Sequence, residues 1–187
     1  MRIISGTNKG KRLYAPEGKE VRPTGDKIKE AVFNIIGSID EDSTVLELFA
    51  GSGSMGIEFL ARGAKHCTFV DISKKSLYYV KKNLDLCNFT GKAKIIAGDY
   101  EKTIINLSNN KEKFDYIFAD PPYGLTLGNK ILNAVIENGI LKYGGILVIE
   151  SEKSEKVIDN EALDVVEYKE KIYGRTKISI IRLLEGK

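Results

Sequence analysis

A chain of 187 residues, 42% hydrophobic and 29% charged, is long enough for one domain with a full core and too short for two ordinary ones. The composition excludes a disordered or repetitive protein, and no apolar run reaches the length of a membrane span. The net charge of +3 is small but unevenly placed. Residues 1–22 hold Arg2, Lys9, Lys11, Arg12, Lys19 and Arg22 against Glu17 and Glu20, an excess larger than that of the whole chain. Such a segment suits phosphates, and it suits a solvated basic tail equally well. Cys67 and Cys87 stand apart, and His66 is the only histidine; that spacing makes neither a zinc site nor a disulfide framework, so reduced core thiols and no metal are expected. The start, Met1-Arg2-Ile3-Ile4-Ser5-Gly6, lacks the long apolar core of a signal peptide, and a cytoplasmic protein is the expectation.

In chain order, residues 2–14 read as a short basic hairpin turning around Gly6 to Gly10, and Pro16 to Pro23 as a loop. Thr24 to Gly37 has a helical period, with Ile28, Ala31, Val32, Ile35 and Ile36 on the apolar face and Asp26 in the first turn. Beyond Ser43, strands and helices alternate. Strands are predicted at Thr44–Phe49, Cys67–Ile72, Lys92–Ala97, Phe114–Ala119 and Gly145–Glu150. Helices are predicted at Ser54–Arg62, from the cap Ser73 to about Leu86, near Tyr100–Leu107 and over Lys130–Asn138. Val165–Lys171 and Lys177–Leu184 close the chain as a hairpin around Tyr173-Gly174. Apolar strands alternating with helices mean an α/β, doubly wound, mostly parallel sheet, here with a C-terminal antiparallel hairpin. The expected organisation is one domain over 1–187, with residues 1–42 as a basic N-terminal extension on a Rossmann-like core over 43–187.

The strand Val45-Leu46-Glu47-Leu48-Phe49 runs into Ala50-Gly51-Ser52-Gly53-Ser54-Met55-Gly56. Glycines at the carboxyl end of a first strand allow a tight turn and close approach of a ligand to the backbone. The next strand ends in Asp71, twenty residues past Gly51, where a carboxylate can accept from both hydroxyls of a ribose. The pattern points to a nucleoside cofactor. NAD would place pyrophosphate on the helix N-terminus. S-Adenosylmethionine has no phosphate but carries a sulfonium and an α-ammonium group, and Glu47 offers a carboxylate for them unless it is a buried structural acid. Gly98-Asp99 after the third strand offers another carboxylate for the adenine amine, or a simple helix cap. The expected cofactor set is Glu47, Phe49, Gly51, Gly53, Asp71 and Asp99.

The fourth strand ends in Asp120-Pro121-Pro122-Tyr123. Consecutive prolines fix two φ angles and lack N–H groups, which makes a stiff turn. The Asp120 carboxylate and the Pro121 carbonyl are two acceptors for the two N–H groups of one exocyclic amine. Holding both draws the nitrogen lone pair out of conjugation and aims it at an electrophilic methyl. Tyr123 offers an aromatic face for an unstacked base. Arg2, Lys9, Lys11, Arg12, Arg22 and Tyr173 are the expected contacts to the substrate strand. Of the remaining polar and aromatic residues, Glu30 and Asn34 read as a solvated helix face, Tyr78 as packing between helix and sheet, and Tyr79 as surface.

Glu47-Leu48-Phe49-Ala50-Gly51-Ser52-Gly53 with Asp120-Pro121-Pro122-Tyr123 resembles the class I amino-methyltransferases that act on nucleic acids. More closely, the chain is similar to the RsmD family, bacterial enzymes that methylate guanine N2 in small-subunit (16S) ribosomal RNA. The resemblance covers almost the whole chain. It includes Arg2 to Gly6 with Gly10, Arg22-Pro23-Thr24, Glu30 with Phe33-Asn34, Glu150-Ser151 and Tyr173-Gly174. It implies S-adenosylmethionine as cofactor and rRNA in the small ribosomal subunit or its assembly intermediate as partner. It also implies a small monomeric enzyme without a metal or a membrane. The nearest rival is an adenine-N6 DNA methyltransferase, against which stand the short chain and the N-terminal motifs. A nicotinamide oxidoreductase would leave Asp120-Pro121-Pro122-Tyr123 idle, and an RNA-binding module would leave the glycine loop unexplained.

Overall fold

A computed structural model describes residues 1–15, 25–158 and 166–185. Its helices are α1 (Asp26–Ile36), α2 (Ser54–Ala61), α3 (Lys74–Cys87), α4 (Tyr100–Asn109) and α5 (Gly128–Glu137). Its strands are β1 (Thr44–Leu48), β2 (His66–Asp71), β3 (Ala93–Ala97), β4 (Phe114–Ala119), β5 (Leu141–Glu152), β6 (Val166–Tyr173) and β7 (Thr176–Leu183). They form one seven-stranded sheet in the order β3-β2-β1-β4-β5-β7-β6. β1 with β2, β2 with β3, and β4 with β5 are parallel, while β7 runs antiparallel to β5 and to β6. The alternation of apolar strands and helices in the sequence is this mostly parallel sheet, and the final hairpin supplies the antiparallel strand. The loop expected over Pro16 to Pro23 lies outside the described residues, as does Arg22. No described helix is long and apolar enough to cross a membrane.

The chain divides into two compact units, Met1–Tyr100 and Glu101–Lys187. In the first, β1 and β2 bury Val45, Leu46, Leu48, Phe69 and Val70 and, among them, the polar Glu47 and Thr68. α2 is buried along its whole length. α3 turns Leu77, Val80, Asn83, Leu84 and Cys87 inward, spaced at three and four residues as one helix face requires. In the second unit, β4 and β5 bury Ile117, Phe118, Leu147, Val148 and Ile149, against which α5 lays Ile131, Leu132 and Val135. The β4–β5 register shifts between Phe114 and Tyr116, where β5 begins at Leu141, earlier than the predicted Gly145.

The expected N-terminal hairpin is present, as one antiparallel bridge, Arg2 with Arg12, flanked by backbone bonds from Ile3 N–H to the Lys11 carbonyl (3.0 Å), Gly10 N–H to the Ile3 carbonyl (2.8 Å) and Leu13 N–H to the Met1 carbonyl (3.2 Å). Ile3 and Leu13 in the core and bonds from its backbone to α2 and α3 hold it in place. Gly6 (φ +70°) passes so close to α2 that a Cβ there would lie 1.9 Å from the Ala61 carbonyl oxygen. The readings of α1 and α3 are corrected. In α1 the buried face is Lys29, Val32 and Phe33; of the predicted apolar stripe Val32 is buried, while Ile28, Ala31, Ile35 and Ile36 are half-buried. The helix is rotated because Lys29 pairs with Glu58 and because Phe33 meets Phe59 edge to face at 4.7 Å. In α3 it is Tyr78 that is exposed, at 60%, while Tyr79 is half-buried. With Leu77 and Val80 facing the sheet, position 78 falls on the far side of the helix.

Candidate active site

In the first unit the site is a loop built by one buried acid. Glu47 is 3% exposed and points from β1 at the start of α2, where Met55 N–H donates to Oε1 (3.1 Å) and Gly56 N–H to Oε2 (2.9 Å). These are orphan donors of a helix N-terminus, where a carboxyl group is stabilising. The fit needs glycine at position 56, because a Cβ there would lie 2.4 Å from the Phe69 ring, 2.6 Å from Cys67 Sγ and 2.7 Å from Glu47 Oε2. Glu47 therefore shapes the loop from beneath. Burial pushes its carboxyl up to about 8 from the ordinary 4.5, against the two amide donors and Lys29, which pull it down.

That raised value gives a stability prediction with a definite sign. Between about pH 5 and 8 the folded chain keeps a proton that the unfolded chain has released, so this group's contribution falls as pH rises through the window. The thermal midpoint of the wild type should drop across that range relative to Glu47→Gln, which has no proton to lose. Parallel melting curves for the two proteins would remove the buried acid as the cause.

Above the loop, Phe49 (φ +57°), Gly51 (φ +55°) and Gly53 (φ +77°) take left-handed conformations. Asp71, half-buried at the end of β2, accepts from Gly51 N–H (2.8 Å) and from Ser73 N–H (2.7 Å). Each of its oxygens keeps further acceptor capacity. Phe49 packs against Tyr100 with ring centroids 5.1 Å apart, an aromatic wall beside the loop. A Cβ on Gly51 would meet nothing nearer than the Phe49 carbonyl oxygen at 4.0 Å, so the cradle is open to a ligand. A half-exposed carboxylate, bare backbone and an aromatic wall fit a nucleoside. Asp99 is half-buried and immediately precedes α4.

A residue that the sequence analysis passed over ties this loop to the hairpin. Asn83, fully buried in α3, accepts from Tyr14 N–H (2.8 Å) and donates to the carbonyls of Tyr14 (2.8 Å) and Ser52 (2.9 Å). Its signal was a lone amide on an otherwise apolar helix face.

In the second unit, Asp120 leaves β4 half-buried, followed by buried Pro121 and exposed Pro122. Tyr123 is 41% exposed, yet its hydroxyl is anchored. It donates to Glu150 Oε1 (3.0 Å) and lies 3.1 Å from Thr176 Oγ1. Burial pushes the phenol up to about 12, with the Glu150 charge adding to the effect and the Thr176 hydrogen bond opposing it. Glu150, on β5, and Thr176, on β7, are 4% exposed. They fix the plane of the ring, a role that the motif alone does not reveal. Tyr173, 37% exposed, sits at the tip of the β6–β7 hairpin.

Of the expected substrate contacts, Lys9 and Arg12 are exposed, whereas Arg2 pairs with Asp26 (3.2 Å) and Lys11 Nζ donates to the Leu86 carbonyl (3.0 Å). Arg22 lies outside the described residues. Among the described residues there is no cluster of three or more metal-binding side chains.

The chain is similar to known proteins over most of its length. A YlbH protein of Bacillus subtilis, named as an rRNA methyltransferase, is 37% identical over 182 residues, 97% of this chain and 98% of its own. The ribosomal RNA small subunit methyltransferase D of Haemophilus influenzae is 33% identical over 86% of this chain and 83% of its own. Among solved structures, the yhhF methyltransferase of Escherichia coli superposes with a TM-score of 0.84 at 26% identity, covering all of this chain and 99% of that one. The family model of conserved hypothetical protein 95 matches residues 1–182, and the protein belongs to that family, the RsmD family, with the class I methyltransferase fold.

Proposed function

We propose that this protein, an S-adenosylmethionine-dependent rRNA methyltransferase, methylates the exocyclic N2 of a guanine in small-subunit ribosomal RNA. The observation that carries the reading is Asp120-Pro121-Pro122-Tyr123 at the carboxyl end of β4, in a chain that matches the family over residues 1–182. When bound, the cofactor supplies an electrophilic methyl group. The chain's own residues do the rest. Asp71 receives the ribose hydroxyls, the backbone of Gly51 lets the ligand lie close, Gly53 turns the loop into α2 with Phe69 and Val80 packed against it, and Phe49 lines the wall. Asp99 accepts from the adenine amine. Glu47, engaged by Met55 and Gly56, acts by holding the loop in shape. Asp120 and the Pro121 carbonyl accept the two N–H groups of the target amine, and Tyr123, its hydroxyl tied to Glu150, presents its ring to the base. Lys9 and Arg12, both exposed, and Arg2, Lys11, Arg22 and Tyr173 meet the RNA strand. The protein works in the cytoplasm as a monomer on the small subunit or an assembly intermediate.

Mass mapping of modified nucleosides in rRNA from a strain lacking the gene tests the reading. One guanine in small-subunit rRNA should lose its N2 methyl group and regain it on complementation. Loss of an N6-methyladenine from DNA, with rRNA unchanged, would overturn it. Calorimetry tests the cofactor side. Asp71→Ala should weaken S-adenosylhomocysteine binding roughly tenfold to a hundredfold, the scale of hydrogen bonds to a charged group. NAD should not bind to either protein; NADH binding without a response to S-adenosylhomocysteine would sink the assignment.

A further inference from the structure

α3 carries Lys74, Lys75, Lys81 and Lys82 on its solvent face, with Asp85 as its one acid. Asp85 accepts from the Thr90 hydroxyl at 2.7 Å. No acid lies in the first turn of the helix, and Lys74 and Lys75 occupy it instead. Cations at a helix N-terminus oppose the macrodipole, and like charges gathered on one face repel. Among the described residues none of these lysines forms an ion pair. A face shaped only for solvation would interleave acids with its lysines, as helix surfaces ordinarily do. Between the two lysine pairs stands Tyr78, the most exposed tyrosine on the helix at 60%.

This face is joined to the basic hairpin. Lys82 Nζ lies 3.8 Å from the centroid of the Tyr14 ring, which is itself 44% exposed. The Tyr14 backbone is clamped to α3 by Asn83, and Lys11 reaches the Leu86 carbonyl farther along. The exposed hairpin cations Lys9 and Arg12 and the α3 lysines therefore belong to one surface. Lys74 and Lys82 are separated by about 12 Å along the helix axis at 1.5 Å per residue, enough to follow two or more successive phosphates of a strand. Cations interleaved with exposed aromatic rings are the pattern that holds a nucleic-acid backbone while bases stack.

We propose that the solvent face of α3, with Tyr14 at its edge, is a second RNA-binding strip that continues the hairpin and grips the phosphate backbone of the substrate away from the target base. The proposal rests on the rRNA reading above. The strip contributes affinity and register, not chemistry, because phosphate contacts position a nucleic acid without reading its sequence.

The test is binding of small-subunit rRNA by filter retention across about 50 to 200 mM salt. The quadruple variant Lys74→Gln, Lys75→Gln, Lys81→Gln, Lys82→Gln should flatten the log–log salt slope by up to about three units, at ~0.7 per single-strand phosphate contact. Its affinity near physiological salt should fall at least about tenfold. S-Adenosylhomocysteine binding should stay at the wild-type value and the melting temperature should not fall, which shows that the variant is folded. The pair variants Lys74→Gln, Lys75→Gln and Lys81→Gln, Lys82→Gln should each give part of the effect, and Lys→Arg at all four positions should restore it. A control with Lys92, Lys111, Lys130 and Lys153 changed to glutamine removes equal charge elsewhere. An unchanged slope in the quadruple variant, or an equal loss in the control, overturns the strip. Loss of binding to ribosomal particles with naked rRNA unaffected also overturns it, in favour of a protein partner. If the wild type neither binds nor methylates rRNA, the functional reading itself has failed; wild-type methylation with an unaltered variant condemns the strip alone.

Discussion

Asp120→Ala should leave S-adenosylhomocysteine affinity within about twofold of wild type while single-turnover methylation of rRNA falls by 10²–10³, the scale of one preorganised electrostatic contact. The reason is the division of labour in the chain. Glu47 and Asp71, which bond Met55, Gly56, Gly51 and Ser73, and Asp99, proposed for the adenine amine, all lie within the first unit. Asp120 follows β4 in the second unit, ahead of two prolines that give the turn little freedom. Asp120→Asn should fall between alanine and wild type, since it keeps one acceptor oxygen and loses the charge. Calorimetry on both variants guards against misfolding. A variant that binds the cofactor normally and methylates at the wild-type rate would deny Asp120 its contact with the target amine.

The parts of the molecule legible in sequence are those fixed by short-range pattern. Phe114–Ala119, aromatic and aliphatic but for Asp115, is bounded by Lys113 and Asp120, and β4 has those limits. Ser73 precedes a periodic segment and caps α3 by accepting from Ser76 N–H. The glycine loop and Asp71 could be placed together because a parallel βαβ unit brings the end of one strand beside the end of the next. What was not legible depends on partners far apart in the chain. Tyr123 meets Glu150 and Thr176 across 27 and 53 residues, and nothing local to the Asp-Pro-Pro-Tyr turn announces them. Tyr78 and Tyr79 are adjacent and chemically alike, so their exposures were decided by how α3 rolls onto the sheet. The α1 face was misjudged because an apolar count cannot anticipate a lysine in the core. The available signal was Glu58 inside the apolar run Ser54–Ala61, since a buried acid demands a cation from somewhere.

That cation is Lys29, and the pair should prove the most sensitive point of the first unit. Both side chains are fully buried, 3.2 Å apart. Lys29 Nζ also donates to the Arg2 carbonyl (2.6 Å) and the Ser54 hydroxyl (3.3 Å), which uses all three of its hydrogens. Glu58 further accepts from Ile4 N–H (2.8 Å), Ser5 N–H (3.0 Å) and Arg62 Nε (3.0 Å). One carboxylate thus joins α1, α2 and the N-terminal hairpin. Lys29→Met should cost about 3–5 kcal/mol, the usual result of leaving a buried charge without its partner. For a chain of this size that lowers the melting temperature by roughly 6–20 °C. Glu58→Leu should cost more, because it strands Lys29 and also the Ile4 and Ser5 amides. Replacing both residues with apolar ones often rescues a buried ion pair, but here the double variant should remain less stable than Lys29→Met. The two hairpin amides still lack an acceptor. Trypsin should then cut after Lys9, Lys11 or Arg12 well below the global melting temperature, as the hairpin loses its anchor. A Lys29→Met protein that melts within about 2 °C of wild type would mean that Arg62 alone satisfies Glu58 and that the buried pair is dispensable.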